Sequence, residues 1–146
     1  MLENFKNCFN FKYETIYFYN VYGPYQICKG DMATVIGIFE DHFLKNKQMP
    51  VVRPGTRSRR FTHINDTVHV CYKAWKKDLN RHYIISHQKS YSIKEVASMF
   101  KKKIKYLPSR KGERYSSTLV NMNLSNKMYK YYGTIDLKDY IDNFVN

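Results

Sequence analysis

Apolar positions along this chain recur at two periods, and the changes of period mark its elements. Leu2, Phe5 and Phe9 stand at helical spacing, which predicts an amphipathic helix over residues 1–10. ETIYFYN, Glu14 to Asn20, is a run of β-branched and aromatic residues without alternation. That pattern belongs to a strand covered on both faces, as in parallel sheets. NVYGPYQ then makes a turn around Gly23-Pro24. Apolar residues at 32, 35, 36, 39 and 43 predict a helix from Met32 to Asn46. RRFTHI reads as a strand handing over to a helix from about Asp66 to Lys77. Asn65 is the expected cap of that helix, and Val68, Cys71, Tyr72 and Trp75 its inward face. HYIIS, His82 to Ser86, is a further strand. Ser92 and Glu95 form a capping-box pair opening a helix with Val96, Met99 and Phe100 inward. Lysines 101–103 and Lys105 close that helix and lead into a strand, Ile104 to Leu107. Two helices are expected to finish the chain, Leu124 to Tyr132 stopped at Gly133, and Asp136 to Phe144. Strand and helix in alternation predict an α/β fold with parallel pairing.

Composition narrows the class. At 146 residues, 43% hydrophobic and 25% charged, the chain is one globular domain in size rather than a disordered segment. A formal charge of +13 calls for an anionic partner: nucleic acid, a membrane face or a phosphorylated small molecule. Three widely spaced cysteines, Cys8, Cys28 and Cys71, imply neither a disulfide framework nor a zinc site. They fit a reducing, cytoplasmic setting, and no apolar run has the length of a bilayer span. No RNP-like strand or helix-turn-helix supports a nucleic-acid partner. His42, His63 and His69 stand without a second ligand at metal spacing, and His63 is read as a structural residue.

The chemistry concentrates between Val51 and Val68, VVRPGTRSRRFTHINDTV. Arg53, Arg57, Arg59 and Arg60 crowd one end of a strand beside a helix start. A guanidinium offers paired donors that match phosphate oxygens, so this is one way to grip a phosphorylated ligand. A solvated basic loop accounts for the same residues. A second basic loop, SRKGER, begins at Ser109.

Taken together, NVYGPYQ, GTRSRRFTHINDTV and SRKGER followed by NMNLS resemble the C-terminal half of the extended short-chain dehydrogenases. These are the NAD-dependent nucleotide-sugar epimerases and dehydratases, UDP-glucose 4-epimerase among them. The likeness runs over nearly the whole chain with the motifs in the family's order. It implies the last parallel strands of a Rossmann-type fold, with residues 1–26 at its end. Residues 27–146 would mainly build a smaller substrate-binding domain. A nucleoside-diphosphate sugar would lie between the two. By the resemblance Asn20 contacts the sugar nucleotide, Val51 and Val52 lie along the base, and Arg59 and Arg110 grip the diphosphate. Asp66 positions the elements around them.

The family binds NAD on a Gly-rich turn, and no GxGxxG or GxxxxGK[ST] occurs in this sequence. The family's catalytic Tyr-x-x-x-Lys pair is expected on a helix whose tail is LENFKNCFN and is read as absent from this chain, with Tyr13, Tyr22, Tyr25 and Tyr129 taken to lack a lysine at the right offset, so no catalytic, cofactor or metal residue is assigned. The implied chain is a substrate-binding half, inactive alone and binding no NAD by itself. A non-catalytic nucleotide-sugar-binding module or subunit is the alternative, and a nucleic-acid binder a third. Self-association, or pairing with a missing N-terminal half, is expected at the uncovered strand Thr15 to Tyr19. Neither nucleic acid nor membrane is expected as a partner. Epimerase and dehydratase share NVYGPYQ, so the choice between them stays open.

Overall fold

The computed structural model describes residues 1–109 and 128–146. The elements in chain order are α1 (Leu2–Phe9), β1 (Thr15–Phe18), β2 (Val21–Tyr22), α2 (Val35–Leu44), β3 (Met49–Val52), β4 (Ser58–Arg59) and β5 (Thr62–His63). They continue with α3 (Ile64–Lys77), β6 (His82–Ser86), β7 (Tyr91–Ser92), α4 (Ile93–Met99), β8 (Ile104–Leu107), β9 (Met128–Tyr132) and α5 (Leu137–Val145).

β6 is the middle strand of a parallel sheet, with β1 on one side and β9 on the other. Register sets Ile16, Tyr83 and Tyr129 in one row, and Phe18, Ile85 and Tyr131 in the row two residues on. Because alternate side chains share a face, these rows lie on one side of the sheet. α3 covers that side, its Val70 and Ala74 packing on Tyr83 and Ile85, flanked by Ile16 and Tyr131. A second core forms where α2, α4 and α5 close over the parallel pair β3–β8. Phe39 and Phe100 are fully buried there, rings meeting edge-on at 5.8 Å, and each contributes about 2–3 kcal/mol of apolar burial. The short pairs β2–β5 and β4–β7 connect the two regions.

Several sequence expectations hold. Ser92 Oγ accepts from the Glu95 amide while Glu95 accepts from the Ser92 amide, so the capping box is real. α2 buries Ile36 and Phe39 as its period requires, starting at a Thr34 cap.

Others are corrected. The segment ending at Tyr132 is a strand, not a helix: β9 pairs with β6 along its length, and Gly133 extends the ladder by donating to Ser86 O at 3.1 Å. Its aromatic sequence MYKYY suits a pleated surface, and a run this short cannot be told from a helix by period. Residues 124–127 of that expected helix lie outside the described residues. α3 is capped by His63 rather than Asn65, and RRFTHI divides into β4 and β5 around Arg60-Phe61. α3 also turns a different face inward. Thr67, Val70 and Ala74 are buried, whereas Val68, Tyr72 and Trp75 are 56%, 53% and 73% exposed. Small residues let the helix approach the sheet closely, and the aromatic stripe is left outside.

β1 is only partly covered, because its outer edge meets no strand among the described residues. The apolar face of α1, with Leu2, Phe5 and Phe9, is likewise exposed. No helix among the described residues is long and apolar enough to cross a membrane.

Candidate functional site

The arginine-rich segment is shaped by its backbone anchors. Gly55 turns the chain at φ +77°, a conformation that favours glycine, and a Cβ there would stand 2.7 Å from Val51 Cγ1. Gly55 O then accepts from the Lys94 amide at 2.9 Å, and Arg57 O from the Ile93 amide at 3.0 Å. The start of α4 therefore pins the segment from one side. From the other, Asn20 Nδ2 donates to Arg60 O at 3.0 Å, and Asn20 O accepts from the Thr62 amide at 3.3 Å.

Alternation along this extended stretch sorts its side chains into two concavities. Thr56 and Ser58 line one with Ser90, Ser92 and Lys94. Arg57 and Arg59 face the other, a cavity of about 320 Å³. Its opposite walls are apolar: Val35, Ile38 and Phe39 from α2, Pro50 and Val52 from β3, Ile93 from α4 and Leu107 from β8. Asn20 and Gly55 complete the rim, and among the described residues the lining holds no acid. Two arginines thus share the lining with a largely apolar set of residues.

Of the residues expected from sequence, Asn20, Val52 and Arg59 meet in this cavity. Arg59 is half-buried, and its Nη1 donates to Ser58 O at 2.8 Å. Val51 lies on the same strand but is fully buried, packing into the core behind the wall. Asp66 is placed elsewhere. Its carboxylate accepts from the Thr134 amide at 3.0 Å, Thr134 Oγ1 at 2.9 Å and the Ile135 amide at 3.1 Å. It ties the first turn of α3 to the chain leaving β9. Arg110 lies outside the described residues.

The four arginines have separate tasks. Arg60 Nη1 donates to His87 O and Gln88 O, holding the loop after β6. Arg53 stacks its guanidinium 5.7 Å from the Tyr106 ring centre. Only Arg57 and Arg59 reach the cavity. Arg57 is the residue sequence reasoning did not single out as a site. Its signal was present in the Arg-x-Arg spacing, which puts two side chains on one face of an extended segment.

His63 is structural, as expected. Its Nδ1 accepts from the Asn65 amide at 3.2 Å, and its ring lies 5.2 Å from Tyr22 and 5.6 Å from Tyr140. Burial holds its pKa below the usual histidine value despite nearby Asp66, in keeping with a neutral ring that accepts at Nδ1.

A correction concerns the catalytic pair. Tyr-x-x-x-Lys does occur in this sequence, at Tyr25–Lys29 and at Tyr72–Lys76. Tyr25 stands fully exposed in the turn after β2, off any helix. Tyr72 and Lys76 share the outer face of α3 and line a separate concavity with Lys12, Trp75 and Asp78. Neither pair contributes to the arginine cavity.

Helix starts that could cradle phosphate are already used by side chains. The Thr34, His63 and Ser92 side chains accept from the first-turn amides of α2, α3 and α4. No three His, Cys, Asp or Glu side chains are grouped to hold a metal ion among the described residues.

The family model described as GDP-mannose 4,6 dehydratase matches residues 1–138. A UDP-glucose 4-epimerase from Thermotoga maritima, solved with UDP-glucose, superimposes with a TM-score of 0.79 at 22% identity, over 99% of this chain and 48% of that one. A UDP-N-acetylglucosamine 4-epimerase from Methanobrevibacter ruminantium M1, in complex with UDP-N-acetylmuramic acid, gives 0.81 at 21% identity over the same shares. A dTDP-glucose 4,6-dehydratase from Streptomyces venezuelae, with NAD and TYD bound, gives 0.71 at 18% identity over 97% of this chain and 45% of that one. The chain spans about half the length of these structures, and the likeness shows a shared fold. No curated protein sequence matches it.

Proposed function

Because the chain belongs to the GDP-mannose 4,6 dehydratase family, within the extended short-chain dehydrogenases, we propose that it supplies the nucleoside-diphosphate-sugar-binding portion of an epimerase or dehydratase. The observation that carries this reading is the mixed lining of the cavity. Two arginines, Arg57 and Arg59, line it together with aliphatic and aromatic residues. A sugar nucleotide has the same mixture: a flat, weakly polar base and a dianionic diphosphate. The volume of about 320 Å³ sits at the small end of ligand sites, which run from about 300 to 1,000 Å³.

In this reading Val52, Ile38 and Leu107 cover the nucleoside and exclude water from it. Arg59 binds phosphate oxygens in a low-dielectric recess, where charge-assisted bonds are stronger than in water. Arg110 is assigned as a further arm on the diphosphate, carried over from the resemblance. Asn20 holds the arginine segment through Arg60 O, and Asp66 fixes α3 against the Thr134–Ile135 segment.

NAD, which solved family members carry, would supply hydride transfer. The residues of this chain do not fit it. The sequence has no Gly-rich turn, and the helices that directly follow strands, α3 and α4, open on His63 and Ser92 caps. No redox step is therefore assigned to these residues. What they do is bind and orient. Neither Tyr-x-x-x-Lys pair reaching the cavity also favours a binding module without catalysis.

Titration calorimetry with UDP-glucose tests the proposal. Arg59→Ala should weaken binding about 10- to 100-fold, the worth of a hydrogen bond to a charged group at about 1.5–3 kcal/mol. Unchanged affinity would return Arg59 to the role of a solvated basic side chain.

A further inference from the structure

α3 is apolar on two opposite sides. Thr67, Val70 and Ala74 are buried on the side of the sheet, while Val68, Tyr72 and Trp75 stand 56%, 53% and 73% exposed. A helix laid over a sheet needs one apolar stripe, with polar residues outward. We propose that the outer stripe is a docking seam for an acidic amphipathic helix of a partner protein. The inference is independent of the arginine cavity.

Spacing identifies the kind of partner. Val68, Tyr72 and Trp75 recur at intervals of four and three, and exposed Leu79 follows four residues on, just past the C-cap Asp78. At 3.6 residues per turn the three helical side chains fall within about 60° of arc. So narrow a seam is the d–a–d pattern that receives the knobs of a second helix. A bilayer surface calls for a broader apolar face. The Tyr72 and Trp75 rings, 5.9 Å apart, form with Lys12, Lys76 and Asp78 a concavity that can seat an apolar side chain of the partner.

Charge identifies the partner's sign. α3 carries Lys73, Lys76 and Lys77 and no acid after Asp66. Lys76 lies at the concavity itself, and Lys73 and Lys77 lie over the Tyr131 and Tyr129 rings at 5.6 and 5.3 Å. Both neighbouring acids are engaged: Asp66 accepts from Thr134 and Ile135, and Asp78 pairs with Lys12 at 2.7 Å. A second copy of this chain, joined about a two-fold axis, would set this basic patch against itself. An acidic helix complements it and is steered towards it.

Trp75 is the single tryptophan of the chain, so its emission reports on this face. The test titrates the 146-residue chain with a helical peptide of about 21 residues, leucine at its a and d positions and glutamate at e and g, and with its lysine counterpart. The glutamate peptide should shift Trp75 emission to the blue with saturation, bind at least about 10-fold more tightly than the lysine peptide, and weaken as salt rises. Val68→Asp and Tyr72→Asp, at exposed positions, should abolish the shift with the melting temperature unchanged. Lys76→Glu leaves the seam intact and should bring the two peptides to within about 3-fold of each other. No shift with the glutamate peptide, or equal binding of both peptides to the wild type, overturns the inference, as does an undiminished shift in either aspartate variant. So does a larger blue shift with anionic phospholipid vesicles, with single-stranded DNA or with rising protein concentration alone, which would make the occupant a membrane, a nucleic acid or a second copy.

Discussion

Gly55 decides more about the cavity than its size indicates. It supplies a positive φ that carries the chain from β3 back towards the arginines, and its missing Cβ leaves room for Val51. Gly55→Ala should destabilise the protein by about 2 kcal/mol or more, adding left-handed backbone strain to a core overlap. Gly30 has a similar φ of +78°, but a Cβ there would meet nothing within 4 Å, so Gly30→Ala isolates the backbone part at about 1 kcal/mol. Urea unfolding of the two variants separates strain from overlap, and equal losses would show that Val51 moves aside freely. Gly55→Ala should also weaken UDP binding, since Arg57 stands two residues downstream.

Among the elements, α5 is secured by one carboxylate. Asp136 caps the helix through the Lys138 amide at 2.9 Å and accepts from Lys89 Nζ at 2.5 Å and Tyr91 Oη at 2.6 Å. Burial alone would raise its pKa, but these donors outweigh burial and hold the carboxyl down to about 2. A carboxyl depressed in the folded state stabilises the fold above its unfolded value near 4, and that stability is lost as pH falls through about 2. Asp136→Asn keeps a capping side chain and removes the charge. It should cost about 2 kcal/mol at pH 7, with the deficit shrinking below pH 4 and nearly gone at pH 2. Chemical denaturation across that range checks the sign. A deficit that stays constant with pH would assign the loss to packing rather than to the charge.

At the scale of the whole molecule, apolar surface remains uncovered. Phe18 at the β1 edge is 54% exposed, and Phe5, Phe9, Tyr72 and Trp75 lie open on α1 and α3. An unpaired strand edge is a template for another chain, and exposed apolar area of this kind marks an interface. The net charge of +13 opposes association at low salt. Light scattering should therefore show the chain self-associating as salt rises towards 0.1 M, where screening acts within about 10 Å. A clean monomer with a cooperative melt at both salts would mean that this surface is tolerated in water.

Local chemistry was legible in the sequence wherever neighbours in the chain complete it. The Ser92–Glu95 box needs residues three apart and the inward stripe of α2 needs its own period, whereas Asn20 and Arg59, in two separate motifs, were brought together only by the family resemblance. Segments whose partners are distant were not legible. MYKYY became a strand because β6 offered a parallel edge 46 residues away at Met128–His82, a choice that local propensity does not contain. α3 turned Val70 and Ala74 inward because the sheet beneath, with Tyr83 and Ile85 already bulky, admits small side chains. The Arg-x-Arg spacing said that Arg57 and Arg59 share a face. Only the closure of α2, β3 and β8 around that face made it a cavity, because burial is settled by what packs opposite a residue rather than by the residue itself.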